Sequence, residues 1–220
     1  LRSPMTGGLS NPRSALVGRV VPSILNGDFG ALSLEARNCL AAGAEWLHID
    51  VCDGGAQCPG ALTLGPQALG ALRKAAPRDQ LLLDCHVCVG SPGVVAGAEG
   101  QGEGKGQRRG ENMHVNAAMW EQVRGLAAAG ADRLTLQLEC VLGEFESFSR
   151  LQESSAQAQR AEGTRRVEEL HALVAEIARL GVKAGLCLRP ETPVSVLRPF
   201  LAGFNQAAAQ GPEQLAKCAG

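Results

Sequence analysis

The sequence contains no tyrosine and few other aromatic residues, two Trp and five Phe among 220. Platforms that stack nucleic-acid bases need exposed aromatic rings, so a base-stacking role is not expected. An excess of one charge is also missing: 21 Lys and Arg stand against 22 Asp and Glu, a formal net charge of −1. No global field therefore favours nucleic acid or an anionic membrane. Arg108-Arg109 lie in a Gly-rich stretch and read as solvated loop. No apolar stretch approaches the roughly 18 residues that mark a membrane span. The first residues hold no apolar core of the roughly 7–15 residues that a secretory signal needs. The eight cysteines are scattered, at 39, 52, 58, 85, 88, 140, 187 and 218, and several sit inside apolar runs. They read as reduced, small hydrophobes of an intracellular protein.

Apolar residues at 45% and charged residues at 20% give an ordinary globular balance, and the length is enough for one sizeable domain. The patterns alternate along the chain. Strands are expected at 19–25, 46–51, 81–89, 133–138 and 182–188. Helices are expected at 32–42, 66–75, 116–129, 165–180 and 193–201. In the fourth helix Val167, Leu170, Val174 and Ile177 form one stripe, and Gly181 stops it. Strand and helix repeated five times imply an α/β fold with a parallel sheet. Two segments break the rhythm. Residues 97–112 (GAEGQGEGKGQRRGEN) have almost no apolar side chain and read as a disordered insertion. Residues 152–163 are rich in Gln, Ala and Ser and read as a loop or as an extension of the next helix.

On a strand, residues two apart share a face. In "EWLHIDVCDGG" (45–55) His48 and Asp50 therefore point the same way. At the C-terminal end of a barrel strand such a pair can hold a divalent metal, and the carboxylate can exchange a proton with a substrate carbon. The bland alternative is a hydrogen-bonded histidine beside an aspartate that caps the next turn. "LLLDCHVCV" (81–89) repeats the pattern with Asp84 and His86. The same stretch holds Cys85-x-x-Cys88, but positions three apart on a strand face opposite sides, so the pair is not expected to bind zinc. His114 and His171 are expected at the surface. Glu139, just past a strand, could face a site, but is read first as an exposed carboxylate. There is no P-loop and no nucleophile elbow.

Five stretches carry a resemblance: "VPSILNGDFGAL" (21–32), "WLHIDVCDG" (46–54), "LDCHVCV" (83–89), "LTLQLE" (134–139) and "GVKAGLCLRPETPV" (181–194). In order and register across residues 19–201 they resemble the ribulose-phosphate 3-epimerase family, with the third and fifth looking like the plant and algal cytosolic type. The resemblance implies an incomplete (β/α)8 TIM barrel of about five βα units with two inserted loops. Its implied boundaries are a flexible extension at 1–18, a partial barrel at 19–204 and a divergent tail at 205–220. It implies metal-assisted epimerisation at C3, interconverting D-ribulose 5-phosphate and D-xylulose 5-phosphate. One acid/base removes the C3 proton to give an enediolate, which the metal stabilises, and another returns the proton on the opposite face. By the same carry-over Ser23 and His86 bind substrate, Asp50 is an acid/base, and His48, Asp50 and His86 are metal ligands. The metal is Zn, Fe, Mn or Co. The implied compartment is the cytoplasm, with the plastid as alternative, and a homo-oligomer is left open.

Departures from the family pattern matter equally. Cysteine stands at 52 and 88 where the family usually has methionine, and "GAQCPG" replaces its "HFVPN". After Leu201 only nineteen residues remain, whereas one βαβ unit takes about thirty. The family's glycine-rich phosphate loop, its late Asp-Gly-Gly motif and its last phosphate-binding turn have no counterpart. That late aspartate is the family's fourth metal ligand and second acid/base, so the expectation is a C-terminally truncated chain with impaired activity. The rivals are a non-catalytic fragment or interaction module and a decarboxylase of the same superfamily. The latter uses a strand lysine, and the motifs hold only Lys183, near the start of the last of them.

Overall fold

A computed structural model describes residues 20–55, 58, 60–89, 117–143, 145–198 and 200. The expected extension at 1–18, the insertion at 97–112, His114 and the tail at 205–220 lie outside the described residues.

Among the described residues four parallel strands lie side by side in chain order: β1 (Trp46–Cys52), β2 (Leu82–Cys88), β3 (Arg133–Gln137) and β4 (Lys183–Cys187). Helices α1 (Leu32–Ala41), α2 (Pro66–Ala75) and α3 (Ala117–Ala129) precede β1, β2 and β3. Three helices separate β3 from β4: α4 (Leu138–Leu142), α5 (Phe145–Glu153) and α6 (Gln157–Arg179).

The two-residue period sorts the strands. Leu47, Ile49 and Val51 of β1 and Leu83, Cys85 and Val87 of β2 are buried. They join Leu69 and Leu72 of α2, Val123 and Leu126 of α3, and Leu173 and Ile177 of α6 in one core. Each such side chain removed from water is worth roughly 1.5–3 kcal/mol. The opposite face of the strands is free to carry polar groups.

The N-terminal ends of β2 and β3 are tied by polar contacts. Arg73 of α2 donates to the carbonyls of Leu81 (2.7 Å) and Gly130 (2.8 Å) and pairs with Asp132. Asp132 also accepts the Leu83 N–H at 2.8 Å. Gly130, which stops α3, has φ of +105°, and a Cβ there would meet Arg73 Cγ at 2.9 Å. Both the backbone and the space exclude a side chain.

Several expectations change. Residues 19–25 do not form a strand among the described residues. Ser23 makes a single parallel bridge to His48, with the Pro22 carbonyl accepting the His48 N–H at 2.8 Å. Pro22 has no N–H of its own to continue a ladder. β3 stops at Gln137 because Leu138 opens α4. Of the two readings for 152–163, the helical extension is the one found: α6 begins at Gln157 and runs on without a break to Arg179. The expected helix at 193–201 opens as a 3-10 turn over Val194–Leu197 and is α-helical at Arg198 and Phe200, with Leu201 outside the described residues.

Candidate metal and proton-transfer site

The register of β1 and β2 brings the expected residues together. His48 lies beside Asp84, Asp50 beside His86, and Cys52 beside Cys88. All six share a parity, so they stand on the sheet face opposite Leu47, Ile49, Leu83 and Cys85, although Cys88 at its end is itself buried.

His48 Nδ1 lies 3.1 Å from Asp84 Oδ2, and its Nε2 lies 3.5 Å from Asp50 Oδ1. His86 Nδ1 lies 3.2 Å from the same Asp50 oxygen. The other Asp50 oxygen, Oδ2, accepts the Ser23 hydroxyl at 3.1 Å. The two imidazoles stack with centroids 6.1 Å apart. One ligand atom from each of His48, Asp50 and His86 falls within 4.8 Å of the other two. Their side chains keep 28%, 15% and 21% of their exposure, so the cluster opens to solvent.

The charges reinforce one another. Hydrogen bonding to Asp50 and then to Asp84 raises His48 to about 9 against the pull of burial. Asp50 and then Cys187 raise His86 to about 11. The two imidazoles, His48 first, hold the Asp50 carboxyl below its ordinary range, so it stays ionised. Burial would raise Asp84, but His48, Arg133 and Thr135 bring it down on balance.

Two imidazoles and one carboxylate within reach of a common point form a mixed N/O donor set, which suits Zn, Fe, Mn or Co. The three residues therefore fit a divalent ion. Asp84 on His48 Nδ1 is the arrangement that orients a ligating imidazole and leaves Nε2 for the metal.

Further groups belong to this site that the sequence reading did not assign. Gln137 Oε1 lies 2.9 Å from His86 Nε2 and accepts Cys187 Sγ at 2.8 Å. The Gln137 amide nitrogen in turn donates to Glu139. Glu139 is only 2% exposed, which corrects the expectation of an exposed carboxylate. It lies in the first turn of the buried helix α4 and accepts the Arg189 N–H at 3.0 Å and the Thr192 hydroxyl. Burial pushes its carboxyl up, but the bonds from Thr192, Arg189 and Gln137 leave it lowered. Glu139 so fixes the Gln137 amide, which presents its oxygen to His86. Thr135 Oγ1 donates to Asp84 at 3.2 Å. The rule that found His48 and Asp50 also selects Thr135 and Gln137 in "RLTLQ" (133–137).

His171, expected at the surface, is half-buried on α6, edge-on to Phe200 with centroids 5.8 Å apart. Cys85 is fully buried on the core face, away from Cys88, and burial pushes its thiol up.

A parallel sheet with alternating helices, whose neighbouring strands bring imidazole and carboxylate groups together on one face, defines an α/β protein with a cluster of catalytic-type side chains. Comparison with known proteins agrees. Residues 19–98 match the model of the ribulose-phosphate 3 epimerase family. The chain is 27% identical over 183 residues to a ribulose-phosphate 3-epimerase of Schizosaccharomyces pombe, covering 83% of this chain and 56% of that protein. It is 27% identical over 192 residues to the cytoplasmic isoform of Oryza sativa, covering 87% and 59%. It is 28% identical over 182 residues to the chloroplastic enzyme of Arabidopsis thaliana, covering 83% and 45%. The chain is similar to ribulose-phosphate 3-epimerases over most of its length, and the family model matches its residues 19–98. It spans about half the length of these curated relatives. Among the described residues no helix is long and apolar enough to cross a membrane.

Proposed function

We propose that this chain carries the proton-transfer site of a ribulose-phosphate 3-epimerase, acting at C3 of a pentulose 5-phosphate. The observation that carries the reading is the convergence of His48, Asp50 and His86 on one face of two adjacent parallel strands. His48, Asp50 and His86 would hold a divalent ion, which would supply Lewis-acid stabilisation of developing negative charge on the substrate oxygens. The rest falls to the protein's own groups. Asp50, ionised and beside the Ser23 hydroxyl, takes the C3 proton on its face. Ser23 orients a substrate oxygen next to that carboxylate. Asp84 holds the His48 ring, and Gln137, set by Glu139, holds the His86 ring, so that both present a fixed nitrogen. Among the described residues no group is assigned to the opposite face of the enediolate.

The experiment is solvent deuterium uptake at C3 of ribulose 5-phosphate, followed by NMR with added Mn2+ or Zn2+. Metal-dependent uptake that drops at least about 100-fold in Asp50→Asn is expected, since a positioned base contributes about 10²–10⁴-fold. Uptake that is unaffected by Asp50→Asn would remove Asp50 from the role.

A further inference from the structure

The sulfur atoms of Cys52, Cys58 and Cys88 meet above the same strand ends, all within 4.8 Å of one another. Cys52 and Cys88 are the last register partners of β1 and β2. The chain leaves β1 and returns through an antiparallel bridge between Asp53 and Leu62. Thr63 secures the return. Its hydroxyl accepts the Cys52 N–H at 2.8 Å and donates to the Asp50 carbonyl at 2.6 Å, and its N–H donates to the Cys52 carbonyl at 3.1 Å. Inside this loop the Cys58 N–H donates to Gly55 and the Cys58 carbonyl accepts from Ala61. The loop so held carries Cys58 across to β2, where its thiol donates to the Cys88 carbonyl at 3.1 Å. A fourth sulfur stands next to the group: Cys140 of α4 donates to Cys88 Sγ at 3.9 Å. Cys88 and Cys140 are buried, whereas Cys52 and Cys58 are half-exposed and leave a path from solvent.

Sulfur atoms at about 2.3 Å around a tetrahedral ion lie about 3.8 Å apart. The observed cluster has to close by no more than about 1 Å to reach that spacing. We propose that Cys52, Cys58 and Cys88, with Cys140 as a fourth donor, form a second metal site, a thiolate site for a soft cation, Zn2+. Sulfur donors favour soft and borderline ions, and binding releases the thiol protons to solvent. This set shares no residue with His48, Asp50 and His86, so the inference does not depend on the epimerase reading. The thiolate partner of Cys88 is not Cys85 in its own strand, which faces the core, but Cys52 and Cys58 across the register.

The test uses the full chain kept reduced and titrated with Co2+ as a spectroscopic stand-in for Zn2+. One equivalent should produce thiolate-to-cobalt charge-transfer absorption that Zn2+ then displaces. Cys58→Ser, folded as judged by circular dichroism, should weaken that binding at least about tenfold. Cys39→Ser, Cys187→Ser and His48→Ala should keep it. A second measurement needs no variant: Zn2+ should slow alkylation of Cys52 and Cys58, mapped by mass spectrometry, while Cys39 reacts at its old rate. Absence of charge-transfer absorption in the reduced protein, its survival in Cys58→Ser, its loss in Cys187→Ser or His48→Ala, or unchanged alkylation rates would each overturn the proposal.

Discussion

The two faces of β1 and β2 are built from the same fourteen residues and do opposite things. One face presents Leu47, Ile49, Val51, Leu83, Cys85 and Val87 to the helices, all buried. The other presents His48, Asp50, Asp84 and His86, hydrogen-bonded to one another, with all but the buried Asp84 open to solvent. Alternation along a strand lets stability and chemistry occupy neighbouring positions without sharing side chains. The comparison breaks if a substitution on one face produces the effect assigned to the other.

The largest effect is expected on the apolar face. Ile49→Ala should cost about 2–5 kcal/mol of stability, because the lost methyl groups leave a cavity among Ile49's buried neighbours. Denaturant unfolding of the metal-free protein checks it. The affinity of the refolded fraction for Co2+ at the histidine site should stay within about threefold of the parent. A stability loss below about 1 kcal/mol would show that the face is less tightly packed than its burial suggests.

Next in size is loss of a ligand. Asp50→Asn and His86→Ala should each lower divalent-metal affinity by about 100-fold or more, read by competition with a chromophoric chelator. Their metal-free stability should change far less than that of Ile49→Ala. A smaller loss, about tenfold, is expected when the ligands stay and their support goes. Asp84→Asn removes the carboxylate behind His48. Gly185→Ala should act in the same direction from two strands away. Its Cβ would meet Thr135 Oγ1 at 2.8 Å, and Thr135 is the hydroxyl that holds Asp84. If Gly185→Ala leaves metal affinity unchanged, the link from β4 through Thr135 to His48 does not operate.

How much of this was legible depended on range. β1 and β2 could be read because period-two alternation is local, and "LHID" and "DCH" each place two site residues at that spacing. The same rule applied to "RLTLQ" would have exposed Thr135 and Gln137. Glu139 was misread for a different reason. Its burial comes from Arg189 and Thr192, some fifty residues on, and from the turn of the chain into α4 directly after β3. The stretch 19–25 has the β-branched and apolar residues of a strand, yet Pro22 and the single Ser23 bridge to His48 are all the pairing it makes among the described residues. Cys58 lies in a loop with no periodicity, and long-range contacts, the Asp53–Leu62 bridge and Thr63 among them, bring it to Cys88.

The smallest effect is a pH dependence that only the polar face should show. His48 is raised to about 9 and His86 to about 11 in the metal-free protein, chiefly by Asp50. A histidine whose folded value lies above its unfolded value of about 6.5 stabilises the fold fully below that value. The contribution fades as pH rises through the folded values. Asp50 is shifted downward by the same imidazoles, so its contribution is complete above about 4 and fades as pH falls. The cluster should therefore stabilise the metal-free fold most between about pH 4 and 6.5, and lose its effect first on the alkaline side, around pH 9. The side chains are partly solvated, so screening keeps the amplitude to about 1 kcal/mol or less. Melting temperatures of chelator-treated protein between pH 5 and 10 should fall more steeply for the parent than for His48→Gln, whereas Ile49→Val should run parallel to the parent at every pH. Parallel curves for parent and His48→Gln would mean that the imidazole–carboxylate contacts do not stabilise the metal-free fold, and that these residues are held in place by the β1–β2 ladder alone.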